Sequence, residues 1–545
     1  MRRFVFICGA AAVLTMWVSR RAGAGANDDV ARLKESIAAT AKAILDEVRY
    51  LDSEHSADER AWQDFKSRAR RAIAESRSAT ARAGAGGEGA VAKLRAIERK
   101  LKRLKKNIPL RLPAGPKGKG RFGAYYAALK YQLEWDRQWK VGDHPDVVVR
   151  FDEYDHRFVF WRGTSYIPCW ATYDGAWYTN EFFERRGYLG GCDSMCEPMS
   201  DKQCRYSHAR IIESSDARVV VHWRYSPVDL YYKQPYRDPM TGWGDWADEY
   251  YTIYPDSVGV RKATIHSGSP LKDWIEYQEG IVVNQPGTIP EQNINFDAVT
   301  FANLKGQSKT YTWTEKGGPP LRDAPEQPCI QVINFKNPYK PFTVVNPDGV
   351  RIKVYGGHGE GSFFNWWNHW PVAQEKSDTT KARSADRPSH SSLTHIEWKP
   401  YSQDGISRTW IMLHGMTDKP AAELVPLAKS WLYAPQLRLK KGNFVSRGYD
   451  PTQRAWVLVC KAPGKPSRLS FELAASAESP VVNPAFVIEG WGDADASLTV
   501  NGKVRGRGSG FRLGHRRTVT SSNLIVWFRH TSTGPVTVEL TPAVD

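Results

Sequence analysis

The densest chemistry lies between Tyr206 and Arg224, where Tyr206, His208, Arg210, His222 and Arg224 flank the turn residues Glu213-Ser214-Ser215-Asp216. The flanking runs, Tyr206–Ile212 and Arg218–Tyr225, read as the two strands of a β-hairpin. Side chains alternate between faces along a strand. With His208 opposite His222, the face bearing Tyr206, His208, Arg210, His222 and Arg224 is polar, and the other carries Ala209, Ile211, Val219, Val221 and Trp223. A one-residue slip would mix the two sets, so the pattern itself selects the pairing. Two imidazoles, two guanidiniums and a phenol suit elimination next to a carboxylate. Guanidinium binds and neutralises the carboxylate, a neutral imidazole or a phenol removes the acidified proton, and a proton returns to the leaving oxygen. His208 and Tyr206 are the proton-transfer candidates, and Arg210, His222 and Arg224 the anion-binding ones. The competing reading is a polar network that only hydrogen-bonds.

A second concentration runs from Gly356-Gly357-His358-Gly359-Glu360-Gly361 to Phe363-Phe364-Asn365-Trp366-Trp367-Asn368-His369-Trp370. Glycines allow close backbone approach, and aromatic and amide groups together can stack on sugar rings and hydrogen-bond their substituents. His358, Asn365, Trp366, Asn368 and His369 are therefore substrate-binding candidates, against core packing for the aromatics. Asp245, Asp248 and Glu249, beside Trp243 and Trp246, invite a glycosidase reading, but sequence spacing does not measure the separation of two carboxylates. Trp161, Tyr166, Trp170 and Trp177 fit either a sugar-contacting surface or the core.

Several elements must position these groups. The chain has 545 residues, too many for one hydrophobic core. Residues 1–26 have the order of a secretory leader, with Arg2 and Arg3, an apolar run Phe4–Val18 and small residues at 22–26. From 27 to 112 apolar residues recur at helical spacing, marked by Ile37, Ile44, Trp62, Phe65, Leu94 and Leu101, and predict a basic helical hairpin or short coiled coil. The 113–120 stretch is a Gly/Pro linker to a short helical lead-in. Thereafter short strands alternate with turns, predicting a mainly β fold: a large antiparallel β-sandwich over 121–435 and a small β-sandwich over 436–545. Val500-Asn501-Gly502-Lys503 is a hairpin turn.

The formal charge of +17 is mostly N-terminal: residues 1–120 hold 26 Lys+Arg against 13 Asp+Glu, and the rest 50 against 46. A polyanion site in the central region must therefore be local. The basic helices offer a possible surface contact, and no later run is long enough to span a bilayer. Six cysteines follow the leader, an even number that favours disulfides after export. Cys192, Cys196, Cys204 and His208 can also be drawn as a zinc site, without the usual paired spacing. No motif demands a cofactor or metal. A structural calcium is compatible with the sequence, but no ligand run is specific enough to assign one.

Gly-Cys at 191–192, Glu-Pro-Met-Ser-Asp-Lys-Gln at 197–203, Arg-Tyr-Ser-His at 205–208 and Val-Val-His-Trp-Arg-Tyr at 220–225 resemble secreted bacterial polysaccharide lyases of the ulvan-lyase-like class. The resemblance spans roughly Val147 to Trp370 and transfers no catalytic residue. It implies β-elimination on a sulfated, uronate-containing polymer by a secreted, periplasmic or cell-surface protein. The partner implied is an acidic polysaccharide and not a nucleic acid. A glycoside hydrolase on a similar polymer and a noncatalytic carbohydrate-binding or adhesion protein are the alternatives.

Overall fold

The computed structural model describes residues 7–55, 59–84, 88–115, 117–139, 144–185, 190–267, 278–356, 361–367, 370 and 388–543, with side chains from 27 onward except at 138 and 139. The chain divides into two compact units, Met1–Arg111 with Lys130–Gln138, and Leu112–Leu129 with Trp139–Asp545.

The first unit is helical. Helices α1 (Ile7–Leu51), α2 (Arg60–Arg82) and α3 (Glu88–Lys106) bury Ile37, Ile44, Trp62, Phe65, Ile73, Leu94 and Leu101 in one core. The expected two-helix hairpin is therefore three helices, because Asp52–Glu59 breaks the periodicity before Trp62. A short helix, Leu133–Trp139, joins this core's rim through the Leu133 amide on Glu47 (2.9 Å) and Tyr50 Oη on Asp136 (2.8 Å). Part of the basic charge is neutralised within the unit by Lys100–Glu75, Lys102–Glu98 and Arg95–Asp29 pairs. Of the expected leader, residues 1–6 lie outside the described residues and the backbone from Ile7 is helical. No described helix is long and apolar enough to cross a membrane.

The second unit opens with a strand the sequence reading did not anticipate, Gly123–Ala127, which pairs with Asp146–Arg150; the expected short helical lead-in is Leu133–Trp139. It begins a sheet ordered Gly123–Ala127, Asp146–Arg150, Arg157–Phe160, Pro168–Ala171, Trp177–Thr179, Glu279–Asn284, Ser389–Glu397 and Arg351–Val354, with Trp366–Trp367 beside Ser389–Glu397. A second antiparallel sheet runs Ser308–Thr312, Ile294–Ala302, Ile330–Phe335, Lys340–Val344, Ser407–Thr417, Val258–His266, Trp246–Ile253, Val219–Tyr225 and His208–Ser214. The two sheets pack as a sandwich. Phe158 meets Tyr251 at 5.3 Å, and Trp170 Nε1 donates to His414 Nδ1 across the interior at 2.9 Å. Trp161, Tyr166, Trp170 and Trp177 are at most 2% exposed, which resolves them as core.

The interior also holds a polar network. Glu249 accepts from Tyr225 Oη (2.8 Å), Tyr251 Oη (2.5 Å), Arg261 Nε (2.7 Å) and Arg261 Nη2 (2.8 Å), while Arg261 Nη1 donates to the Asn180 carbonyl of the facing sheet (2.8 Å). Asp245 pairs with Arg185 at 2.5 Å, both fully buried.

A short helix, Val425–Leu432, leads into the C-terminal sandwich. Its two five-stranded sheets enclose Trp456, Phe471, Phe486, Trp491 and Phe528. Asn501 (φ 50°) and Gly502 (φ 75°) join Ala496–Val500 to Lys503–Arg505 as the expected two-residue turn. Gly502→Val is expected to cost about 1–2 kcal/mol, since a β-branched residue resists positive φ. A lowered urea midpoint with unchanged slope would show it.

The cysteines depart from expectation. Cys192 and Cys196 form a disulfide, whereas Cys169, Cys204, Cys329 and Cys460 are free and buried. The architecture separates these four: Cys169 lies in a strand of the first sheet, Cys329 beside one of the second, and Cys460 in the C-terminal core, while Cys204 donates to the Arg162 carbonyl at 3.3 Å. The disulfide consumes two of the four ligands drawn for zinc.

Candidate active face on the edge strands

Four strands at one edge of the second sheet build the face: His208–Ser214, Val219–Tyr225, Trp246–Ile253 and Val258–His266. The hairpin forms with a register two residues from the expected one. His208 stands opposite Arg224 and Arg210 opposite His222, with a bulge between Ile211 and Glu213. Period-two alternation is insensitive to a two-residue offset, so the polar and apolar faces are as expected. The offset follows from the turn, which closes at Ser215–Arg218 rather than Glu213–Asp216. Ser215 N donates to the Arg218 carbonyl (2.9 Å), and Arg218 forms a buried bidentate pair with Glu213 (2.9 and 2.7 Å).

Asp248, from the third edge strand, is the hub of the face. Its Oδ1 accepts from His222 Nε2 (2.7 Å) and its Oδ2 from Arg224 Nη1 (2.8 Å), with His266 Nε2 at 3.4 Å. Burial pushes the Asp248 carboxyl up, but the His222 and His266 hydrogen bonds and the Arg224 charge outweigh it and hold the group well below the usual carboxylate range. Arg210 Nε donates to His222 Nδ1 at 3.1 Å. A guanidinium cannot accept, so Nδ1 carries the lone pair and Nε2 the proton. His222, 2% exposed and stacked on Tyr250 at 4.4 Å, therefore spends both nitrogens on the frame. This places it behind the exposed surface and not among the groups that could meet an anion.

Asp201 sets the approach to the first edge strand. Its carboxylate accepts the backbone N–H groups of Arg205, Tyr206 and Ser207, each at 2.8 Å, which fixes the bend that delivers Tyr206 and His208. Tyr206 meets Trp246 at 5.9 Å, and the Arg224 guanidinium lies over the same indole at 4.8 Å. His208 is exposed and contacts the His144 ring at 5.9 Å. Partial burial, and then the neighbouring His144, hold the His208 pKa below its ordinary value. Among the described residues none hydrogen-bonds the His208 ring, the Tyr206 hydroxyl or the terminal nitrogens of Arg210. An exposed aromatic continues the surface at Trp243 (58%), 6.1 Å from Trp246.

The second predicted concentration is not part of this face. Trp366 belongs to the other sheet, opposite Ser391, and is 1% exposed; as a sugar-stacking residue it is corrected to core. Asn365 lies just before that strand, outside the sheet, and His358, Asn368 and His369 lie outside the described residues. The buried Asp245 and Glu249 cannot reach a glycosidic oxygen, leaving Asp248 as the sole partly exposed member of that trio. Sequence reasoning missed His144 and His266. His266 was legible from the outward alternation Lys262, Thr264, His266, whereas the loop residue His144 carried no signal. Among the described residues no group of three or more His, Cys, Asp or Glu is arranged to hold a metal ion.

No known family model matches the chain, and no curated protein aligns with it. Among solved structures, a galactose 1-epimerase from Lactobacillus acidophilus aligns over 54% of this chain and 99% of its own at 7% identity, with a TM-score of 0.24. A heparan sulfate lyase from Pedobacter heparinus aligns over 75% of this chain and 54% of its own at 9% identity, TM-score 0.25. For a xanthan lyase from Paenibacillus the figures are 83%, 40% and 9%, with a TM-score of 0.24. The chain thus spans about half the length of the heparan sulfate lyase and less of the xanthan lyase.

Proposed function

We propose that the protein is an exported polysaccharide lyase, periplasmic, cell-surface or secreted, that cleaves an acidic, uronate-containing polymer by β-elimination, sulfated polymers such as ulvan included. The observation that carries this reading is the edge-strand face. There an exposed imidazole, a phenol and two guanidiniums stand around an imidazole–carboxylate pair, with unsatisfied donors and acceptors turned outward.

In this reading Arg210 and Arg224 bind the uronate carboxylate and make the adjacent C5 proton more acidic. Neutral His208 takes that proton, the C5–H electron pair becomes the C4–C5 double bond, the C4–O bond breaks, and the Tyr206 phenol protonates the departing oxygen. His222 and Asp248 position Arg210 and Arg224. Trp246 and Trp243 offer ring faces to neighbouring sugars. The chemistry draws on no cofactor. The full burial of Asp245 and Glu249 disfavours hydrolysis by that carboxylate set.

The test is incubation of the purified protein with ulvan, heparan sulfate, xanthan and polyuronates, following the ultraviolet absorbance of the unsaturated product. Rising absorbance is the expected result. New reducing ends without absorbance would indicate hydrolysis, and neither product across the panel would leave a binding or adhesion protein.

A further inference from the structure

At the far end of the edge strand His208–Ser214 lies a cavity of about 410 Å³, within the second unit. The central sandwich lines it with Arg121, Tyr125 and Ser214–Asp216, and the C-terminal sandwich with Asp495, Arg507 and His515. That volume suits a small ligand or one or two residues of a polymer. Arg121 pairs with Asp216 at 2.7 Å and Arg507 with Asp495 at 2.6 Å, all four side chains more than 40% exposed. His515 Nε2 is 3.1 Å from Asp495. Each pair sets donors beside acceptors, an arrangement that matches neighbouring sugar hydroxyls, and Tyr125, 40% exposed, adds a ring face.

The cavity's lining is balanced, two arginines against two aspartates, but the C-terminal segment beside it is one-sided. From Ala496 to Val538 the sequence carries seven Lys+Arg and no Asp or Glu. Of these, Lys503, Arg505 and Arg516 are exposed, and no carboxylate among the described residues pairs with them. Six steps of strand separate Ser214 from His208, about 20 Å at the rise of a β-strand.

We propose that this cavity and the basic segment beside it form a second, noncatalytic binding site for an acidic polysaccharide chain. The ligand class rests on the lyase reading; the cavity and the charge do not. Phosphodiester polymers fit less well, because they carry fewer hydroxyls to use the donor and acceptor that each Arg–Asp pair sets side by side.

Affinity electrophoresis of the full chain in gels containing ulvan, heparan sulfate or xanthan tests this, with dextran and single-stranded DNA as comparators. Retardation by at least one acidic polysaccharide and none by dextran is expected. An Arg505→Ala/Arg507→Ala variant should bind about tenfold more weakly, the scale of one lost charge-assisted contact, with its melting temperature and its turnover of a short oligosaccharide unchanged. Tyr125→Ala weakens binding without altering charge, and covers misfolding of the double variant. His208→Ala should be retarded like wild type; if the wild-type protein is retarded but turns over no polymer of the panel, the lyase reading fails and this site stands. Wild-type mobility unaffected by every acidic polysaccharide, both variants binding like wild type, loss of binding in His208→Ala, or equal retardation by DNA would each overturn the proposal.

Discussion

Replacing His208 with alanine is expected to lower the elimination rate by about 10²- to 10⁴-fold, the usual contribution of a positioned general base. The loss should fall equally on kcat and kcat/KM, because proton removal is an interaction of the transition state. Folding should be untouched, since the ring is exposed at a strand end and, among the described residues, its ring contact is with His144. The pH dependence supplies a second readout. His208 acts as a base only when neutral, and partial burial together with His144 lowers its pKa. Activity should therefore be full at neutral pH and be lost as pH falls through a value below about 6.5, the ordinary imidazole pKa. His144→Ala removes one cause of the lowering and should move the acid limb to higher pH. An acid limb unmoved by either replacement would remove His208 from the chemistry.

The largest effect on stability is expected at Glu249 and Arg261. Their side chains are 0% and 1% exposed, and the carboxylate is met by two phenols and two guanidinium nitrogens. Glu249→Ala takes from the buried Arg261 guanidinium the carboxylate that accepts from its Nε and Nη2, a loss that costs about 3–5 kcal/mol. Urea unfolding should show a midpoint well below that of wild type. Glu249→Gln combined with Arg261→Met removes both charges while keeping volume, and should recover much of the loss. If the single and double variants were equally unstable, the cost would lie in packing and not in the uncompensated charge.

The architecture was largely legible in the residues because burial writes a period. Val219–Tyr225 and Ala455–Cys460 show β-branched and aromatic runs bounded by turn residues, and Ile37, Ile44, Leu94 and Leu101 show the helical spacing that the three-helix core uses. Ser389–Glu397 and Ser407–Thr417 were not legible. Both are central strands, but Ser389-His390-Ser391-Ser392 is buried through polar side chains whose partners lie far away in sequence, such as Gln331 for Thr394 (2.5 Å). No local pattern encodes a partner that only the folded sheet supplies.

The same distinction runs through the candidate site. By itself the sequence determined that Tyr206, His208, Arg210, His222 and Arg224 share one face of a hairpin, because alternation needs only neighbouring residues. It could not separate the groups that frame the face from those that meet a ligand. Tertiary structure alone decided that Asp248 rises from the next strand to lock His222, that Glu249 turns inward to Arg261, that His144 arrives from a distant loop and that Trp366 packs into the other sheet. The physical reason is that hydrogen-bond partners and desolvation, which set what a titratable group can do, are properties of three-dimensional surroundings and not of spacing along the chain.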